Sequence, residues 1–186
     1  MGTQIHRTPD ARAVAVIAHP HPDFGGNMHN PVVTALHAGL AAAGCSTLRF
    51  DFNGSAQPHA DLAEAEQLAA EAFGDLDVVR AGYSFGADTI LTAPRASKLI
   101  GEVLVAPPLA VFGDRPVTTP DVARLVIVGT HDQFRSPDSL RTCIGDWADT
   151  EVVEAPTADH FMAGSMDLVE DHTSRAVTTW LDARLS

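Results

Sequence analysis

The sequence predicts an α/β protein: a mostly parallel sheet of about six or seven strands with helices on both faces. Two observations carry this. Short aliphatic or β-branched runs alternate with longer segments of helical period along almost the whole chain. Runs such as Ala13–Ala18 (AVAVIA) are also apolar at every position, which suits strands buried on both faces. No repeat, low-complexity tract or linker breaks the pattern, so residues 1–186 read as a single domain.

The first element is the Ala13–Ala18 strand. Asn30-Pro31 then supplies an N-cap and a proline at the first helical position; Val32, Leu36 and Leu40 share one face, and Gly44 is placed as the stop. Ser46–Phe52 reads as a second strand. Asp61-Leu62-Ala63-Glu64 has capping-box spacing and opens a helix with Leu62, Ala65, Ala69 and Phe73 inward, closed by Gly74. A strand at Leu76–Ala81 runs through Gly82 into a short helix from Ser84 to Ala93, halted by Pro94. Strands follow at Ile100–Ala106, Leu125–Gly129 and Glu151–Glu154. Ser136-Pro137 opens a helix that places Leu140, Cys143, Ile144 and Trp147 on one face, and a helix from Met166 to Arg184 closes the chain with Val169, Ala176, Val177, Trp180 and Leu181 inward. The irregular stretch Pro107–Pro120, with four prolines, is too short to form a lid domain.

Composition narrows the function. Twelve Lys and Arg against 24 Asp and Glu give a net charge of −12, which repels nucleic acid and anionic membrane alike. No apolar run approaches the ~20 residues that span a bilayer. The polar start, Met1–Asp10, lacks the apolar core of a signal peptide, so a cytoplasmic location is expected. Two cysteines, Cys45 and Cys143, are too few for a disulfide framework, and both fall on apolar positions that predict burial.

Gly82-Tyr83-Ser84-Phe85-Gly86 fits G-x-S-x-G between a strand and a helix. That context makes a nucleophile elbow: a turn too sharp for side chains at its flanks, presenting Ser84 Oγ above the carboxyl edge of the sheet. A serine hydroxyl is a weak nucleophile and needs a base oriented by an acid. In this arrangement the chain order is serine, acid, histidine. Asp132, in the loop after Leu125–Gly129, is the candidate acid, and His160, in the loop after the last strand, the candidate base. Asp159, Asp146, Asp149 and His131 fit these roles less well: the first and last adjoin their would-be partners in sequence, and the other two fall at a helix end. The Phe85 amide is one expected oxyanion donor. The other is expected from His19–Gly26, where Pro20 and Pro22 have no N–H; His21 is the first candidate, with Asp23 or Phe24 behind it. Phe24, Met28, Pro108, Phe134 and Phe161 are expected to shape the substrate pocket.

No metal or cofactor is expected. His19-x-His21 stands without HExxH, CxxC or an acidic cluster, and reads as loop structure, each histidine preceding a proline. Glycines 25, 26 and 54 make no GxGxxG, and no Walker loop is present.

AHPHPDFGGNMHNPVV, LRFDFNGSA, GYSFG, VLVAPP, VIVGTHDQF and ADHF together resemble the α/β-hydrolase superfamily, most closely its small, lidless, dienelactone-hydrolase-like bacterial members. The resemblance runs from about Val14 to Leu181. It implies a minimal α/β-hydrolase fold, an eight-stranded plan missing its first strands, with the Ala13–Ala18 strand beside the nucleophile strand and the sheet order reversing between them. It also implies Ser84, Asp132 and His160 as the triad, Phe85 and the His21 region as the oxyanion hole, and a small ester or thioester as substrate. The chain departs from the family at His29, where acidic or polar residues are common, and at Asp88, where an apolar or aromatic residue is usual. A carboxylate at 88 facing the core must be paired or protonated. The alternative function is a hydrolase-like scaffold that binds a small molecule or protein without turnover. Oligomeric state and substrate identity are not legible in the sequence.

Overall fold

The computed structural model describes residues 1–109, 122–145, 147 and 149–184; most of Pro107–Pro120, and Asp146, lie outside the described residues. Among the described residues, seven strands and five α-helices follow one another as β1 (Thr3–His6), β2 (Ala13–Ala18), α1 (Pro31–Ala42), β3 (Cys45–Phe50), α2 (Pro58–Phe73), β4 (Asp77–Tyr83), α3 (Phe85–Thr92), β5 (Leu99–Val105), β6 (Ala123–Gly129), α4 (Pro137–Ile144), β7 (Thr150–Ala155) and α5 (Met166–Ala183). The sheet order is β1-β3-β2-β4-β5-β6-β7, parallel throughout except for β1, which pairs antiparallel with β3. The order reverses between β2 and β4, which opens a crevice at the carboxyl edge, where ligands bind in open α/β sheets.

Alternation along each strand divides the core in two. Ala13, Ala15 and Ile17 of β2 face α1 and α5, packing with Leu36, Leu40, Val169 and Val177. Val14, Val16 and Ala18 face the other way, toward Leu62 and Ala65 of α2, Ile90 of α3 and Leu140 of α4. Leu36 and Leu40 are wholly buried, and each such side chain contributes about 1.5–3 kcal/mol by leaving water. Asn30 caps α1 as its sequence predicts, accepting from the Val32 amide at 2.9 Å, with Pro31 at the first helical position.

Two local expectations are corrected, and one strand is added to those read from the sequence. Strand β1 has no apolar alternation to betray it; its four residues are solvent-exposed and are held by their ladder to β3. Helix α2 starts at Pro58, before the capping-box signal, and the Asp61 carboxylate accepts from Asn53 N and Nδ2, both at 2.8 Å, fastening the loop after β3. Cys143 is exposed, whereas Cys45 is buried and its thiol is pushed up to about 12 by that burial.

The strands also hold a charged row that their apolar look conceals. Arg80 of β4, Glu102 of β5 and Arg124 of β6 stand in register on the α2–α4 face, all essentially without solvent exposure. Arg124 Nε donates to Glu102 at 2.8 Å and its guanidinium lies 5.0 Å over the Trp147 ring. Arg80 donates to Glu66 of α2 at 2.6 and 3.1 Å and to the Pro94 carbonyl at 2.8 Å. Buried charges of this kind persist only when paired and hydrogen-bonded.

Candidate active site

Strands β2, β4, β5, β6 and β7 run parallel, so the loops that follow them gather at one edge. Ser84 sits in the turn between β4 and α3 at φ 52°, ψ −114°. A non-glycine residue held there costs on the order of 1–3 kcal/mol, and such strain persists where the surroundings over-determine it. The turn is this tight because glycines flank it. A Cβ on Gly82 would lie 2.6 Å from the Gly86 carbonyl carbon, and one on Gly86 would strike the Ala18 backbone at the end of β2.

Ser84 Oγ lies 2.9 Å from His160 Nε2, and His160 Nδ1 lies 2.9 Å from Asp132 Oδ2. An ionised carboxylate only accepts, so Nδ1 carries the proton and Nε2 is left to accept from the serine hydroxyl. Asp132 and His160 are both buried. Asp132 Oδ1 accepts from the amides of Phe134 and Arg135 at 2.8 and 3.1 Å, which fixes the carboxylate's orientation. Asp159 is turned away from this role: its Oδ1 accepts from the Phe161 amide at 2.9 Å. His131 is exposed.

The loop after β2 discriminates among the oxyanion candidates. The Asp23 amide donates to His21 Nδ1, the Phe24 and Gly26 amides to the His21 carbonyl, and the Gly25 amide to Pro22. With prolines at 20 and 22, the His21 amide is the one from 20 to 26 without an acceptor among the described residues. The His21 ring packs 4.7 Å from that of Phe85, so the loop after β2 lies against the start of α3.

The expected pocket residues separate. Phe134 packs 4.4 Å from the His160 ring and Phe161 6.0 Å from it, while Phe24 packs 4.9 Å from His21. All three are exposed, at 53%, 64% and 88%, and only Ile5 joins them among the exposed large apolar side chains described. Pro108 is buried, and its carbonyl accepts from Arg135 Nε at 3.1 Å. Met28 lies beside Gly2, and its backbone amide donates to Asp51 Oδ1 at 2.8 Å. A cavity of about 520 Å³ adjoins Phe85 and His21 and is lined further by Ser55, Gln57 and His59.

His19 does not make a ligand pair with His21. Its Nε2 accepts from the Phe52 amide at 2.9 Å, its Nδ1 donates to the Pro20 carbonyl, and burial lowers its pKa. Among the described residues no group of His, Cys, Asp and Glu is arranged to hold a metal, and no helix is long and apolar enough to cross a membrane.

No protein-family model and no curated protein matches the sequence. Solved structures do match the fold. An α/β serine hydrolase homologue from Coxiella burnetii superposes with a TM-score of 0.84 at 26% identity, over 93% of this chain and 89% of that one. A lidless α/β serine hydrolase from Xanthomonas campestris gives 0.78 at 24% identity over 96% and 87%. The esterase domain of a Rhodothermus marinus protein gives 0.74 at 18% identity over 95% and 92%. The chain belongs to the α/β-hydrolase superfamily.

Within this α/β hydrolase, three further groups that sequence reasoning missed brace the site. Tyr83 Oη donates to the His160 carbonyl at 2.9 Å, and burial raises its phenol well above the ordinary range. Gln133 Oε1 accepts from the His160 amide at 3.3 Å. Arg135 joins the loop after β6 to Pro108 and, through Nη1, to Ser139 at 2.7 Å. Tyr83 and Gln133 reach the His160 loop and Arg135 reaches Pro108, contacts that nothing in the local sequence marks. Asp88, the family departure, faces inward: it is 6% exposed, accepts from the Leu109 amide at 3.2 Å, and burial pushes its carboxyl up to about 7. His29, the other departure, is exposed.

Proposed function

We infer that this hydrolase cleaves a small carboxylic ester or thioester through an acyl-enzyme on Ser84. One observation carries the reading: a strained serine on an elbow, 2.9 Å from a histidine whose other nitrogen is 2.9 Å from a buried aspartate. In the proposed reaction Ser84 Oγ attacks the carbonyl carbon while His160 Nε2 takes its proton. Asp132 holds the imidazole tautomer and stabilises the imidazolium. The carbonyl oxygen, now an oxyanion, rests on the amides of Phe85 and His21, a type of interaction worth about 10²–10³ in turnover per donor. Collapse of the tetrahedral intermediate breaks the bond to the leaving oxygen or sulfur, which receives the proton from His160. His160 then takes a proton from water, hydroxide adds to the acyl carbon, and the acid departs as Ser84 recovers its proton.

Chemistry also assigns sides to the site. The leaving group must lie beside His160, which protonates it, and the exposed rings there are Phe134 and Phe161. An apolar or aromatic alcohol or thiol suits that side. The cavity beyond Phe85 and His21, with Ser55, Gln57 and His59 on its wall, suits a short acyl group able to hydrogen-bond.

The test is labelling by a fluorophosphonate probe, comparing wild type with Ser84→Ala, followed by a panel of esters and thioesters. Labelling that vanishes in the variant supports an activated Ser84. Folded wild type that takes no label and turns over no ester or thioester overturns the reading in favour of a binding scaffold.

A further inference from the structure

Six hydrogen bonds close a ring through the site. Ser84 Oγ meets His160 Nε2, His160 Nδ1 meets Asp132 Oδ2, and Asp132 Oδ1 accepts from the Arg135 amide. Arg135 Nε donates to the Pro108 carbonyl, the next residue's amide, that of Leu109, donates to Asp88 Oδ1, and the Asp88 amide returns to the Ser84 carbonyl at 3.0 Å. The ring thus joins the serine to the aspartate by two routes, one through the histidine and one through Asp88.

Asp88 is the anomalous member. It stands on the buried helix α3, where the hydroxyl of its neighbour Thr89 is satisfied by the Phe85 carbonyl, yet it places a carboxyl group inside. Its Oδ2 is buried with no hydrogen-bond partner among the described residues. Unmet buried oxygens are uncommon, and an apolar side chain would remove the cost. Among the described residues, the charged or titratable groups that act on Asp88 are Arg135, from the loop after β6, and His160, from the loop after β7; the connection after β5 contributes the Leu109 amide. Leu109 itself is at φ 55°, and Ala106, three residues before it, at φ 46°. Two non-glycine residues in the left-handed region so close together need external holds, and Asp88 Oδ1 is one of them.

We propose that Asp88 is a positioning residue: its carboxyl group fastens the connection after β5 to the helix that carries Ser84, and through Pro108 and Arg135 keeps Asp132 aligned with His160. This rests on the assignment of those three residues as the working groups, and goes beyond it by naming what holds them in register.

Asp88→Ala removes the acceptor and Asp88→Asn keeps it. For an ester that wild type turns over, Asp88→Ala lowers kcat about 10- to 100-fold, the scale set by a displacement of about an ångström in a reacting geometry, and Asp88→Asn restores most of it. The proton shared by His160 Nδ1 and Asp132 gives a far-downfield NMR resonance, assigned by its loss in His160→Gln, that reads the same alignment without turnover. It shifts or broadens in Asp88→Ala and is retained in Asp88→Asn. Should Asp88→Ala not fold, Arg135→Gln breaks the ring at Pro108 and moves the same resonance. A folded Asp88→Ala that melts earlier but keeps kcat, KM and the resonance of wild type overturns the proposal, as does an Asp88→Asn indistinguishable from Asp88→Ala. If wild type shows the resonance but neither labels nor hydrolyses, the functional reading fails while the resonance still decides the role of Asp88.

Discussion

Tyr83 Oη donates to the backbone carbonyl of His160 at 2.9 Å, so the residue just before Ser84 holds in place the residue that Ser84 faces. The bond spans β4 and the loop after β7, and both partners are buried. Tyr83→Phe keeps the ring packing and leaves the carbonyl unpaired. The expected loss of stability is about 1–3 kcal/mol by chemical denaturation, with kcat reduced several-fold and KM nearly unchanged. A variant with wild-type kcat would show that the His160 loop is held adequately without this bond.

The buried row Arg80, Glu102 and Arg124 predicts a different signature. Glu102→Ala strips Arg124 of a partner at 2.8 Å in a site of zero exposure, and is expected to cost about 3–5 kcal/mol. Replacing Arg124 and Glu102 together by Met and Leu recovers most of that, because no charge is left stranded. Urea unfolding of the single and double variants checks it. Equal destabilisation in both would mean the pair is worth more than its desolvation cost.

The contrast between these two features shows what could be read from the chain. Ser84, Asp132 and His160 each follow a strand closely, so chain order and strand ends pick them out as candidates. Gly82 and Gly86 were legible for the same reason, as a local turn that excludes side chains. Arg80, Glu102 and Arg124 each stand as one charge in an apolar run, and only the strand register puts them in line. Tyr83, Gln133 and Arg135 likewise act on loops distant in sequence. Strand β1 was invisible because an exposed edge strand buries nothing and needs no apolar pattern.

Phe134 and Phe161 flank His160 at the surface, where apolar rings gain nothing until something covers them. Phe134→Ala and Phe161→Ala are expected to raise KM about tenfold for esters of aromatic alcohols, corresponding to roughly 1.4 kcal/mol of lost apolar contact. Methyl esters of the same acid serve as the control and change little. Equal effects on both series would place the leaving group elsewhere.

Asp88 makes the stability of the protein depend on pH in an unusual direction. Its carboxyl titrates at about 7 in the folded chain, against 3.8 as the ordinary value, chiefly because burial disfavours the charge; the Leu109 amide, Arg135 and His160 pull the other way. The folded state therefore binds this proton more tightly than the unfolded chain does. The resulting stabilisation is complete below pH 3.8, shrinks as pH rises, and is lost above about 7. The three-unit gap corresponds to on the order of a few kcal/mol. Asp88→Asn has no proton to lose, so its stability relative to wild type must improve from pH 5 to pH 8. Urea unfolding of both proteins at those two values measures the difference directly. A stability difference that is the same at both would mean that Asp88 keeps an ordinary carboxylate pKa, and that water or an ion satisfies Oδ2.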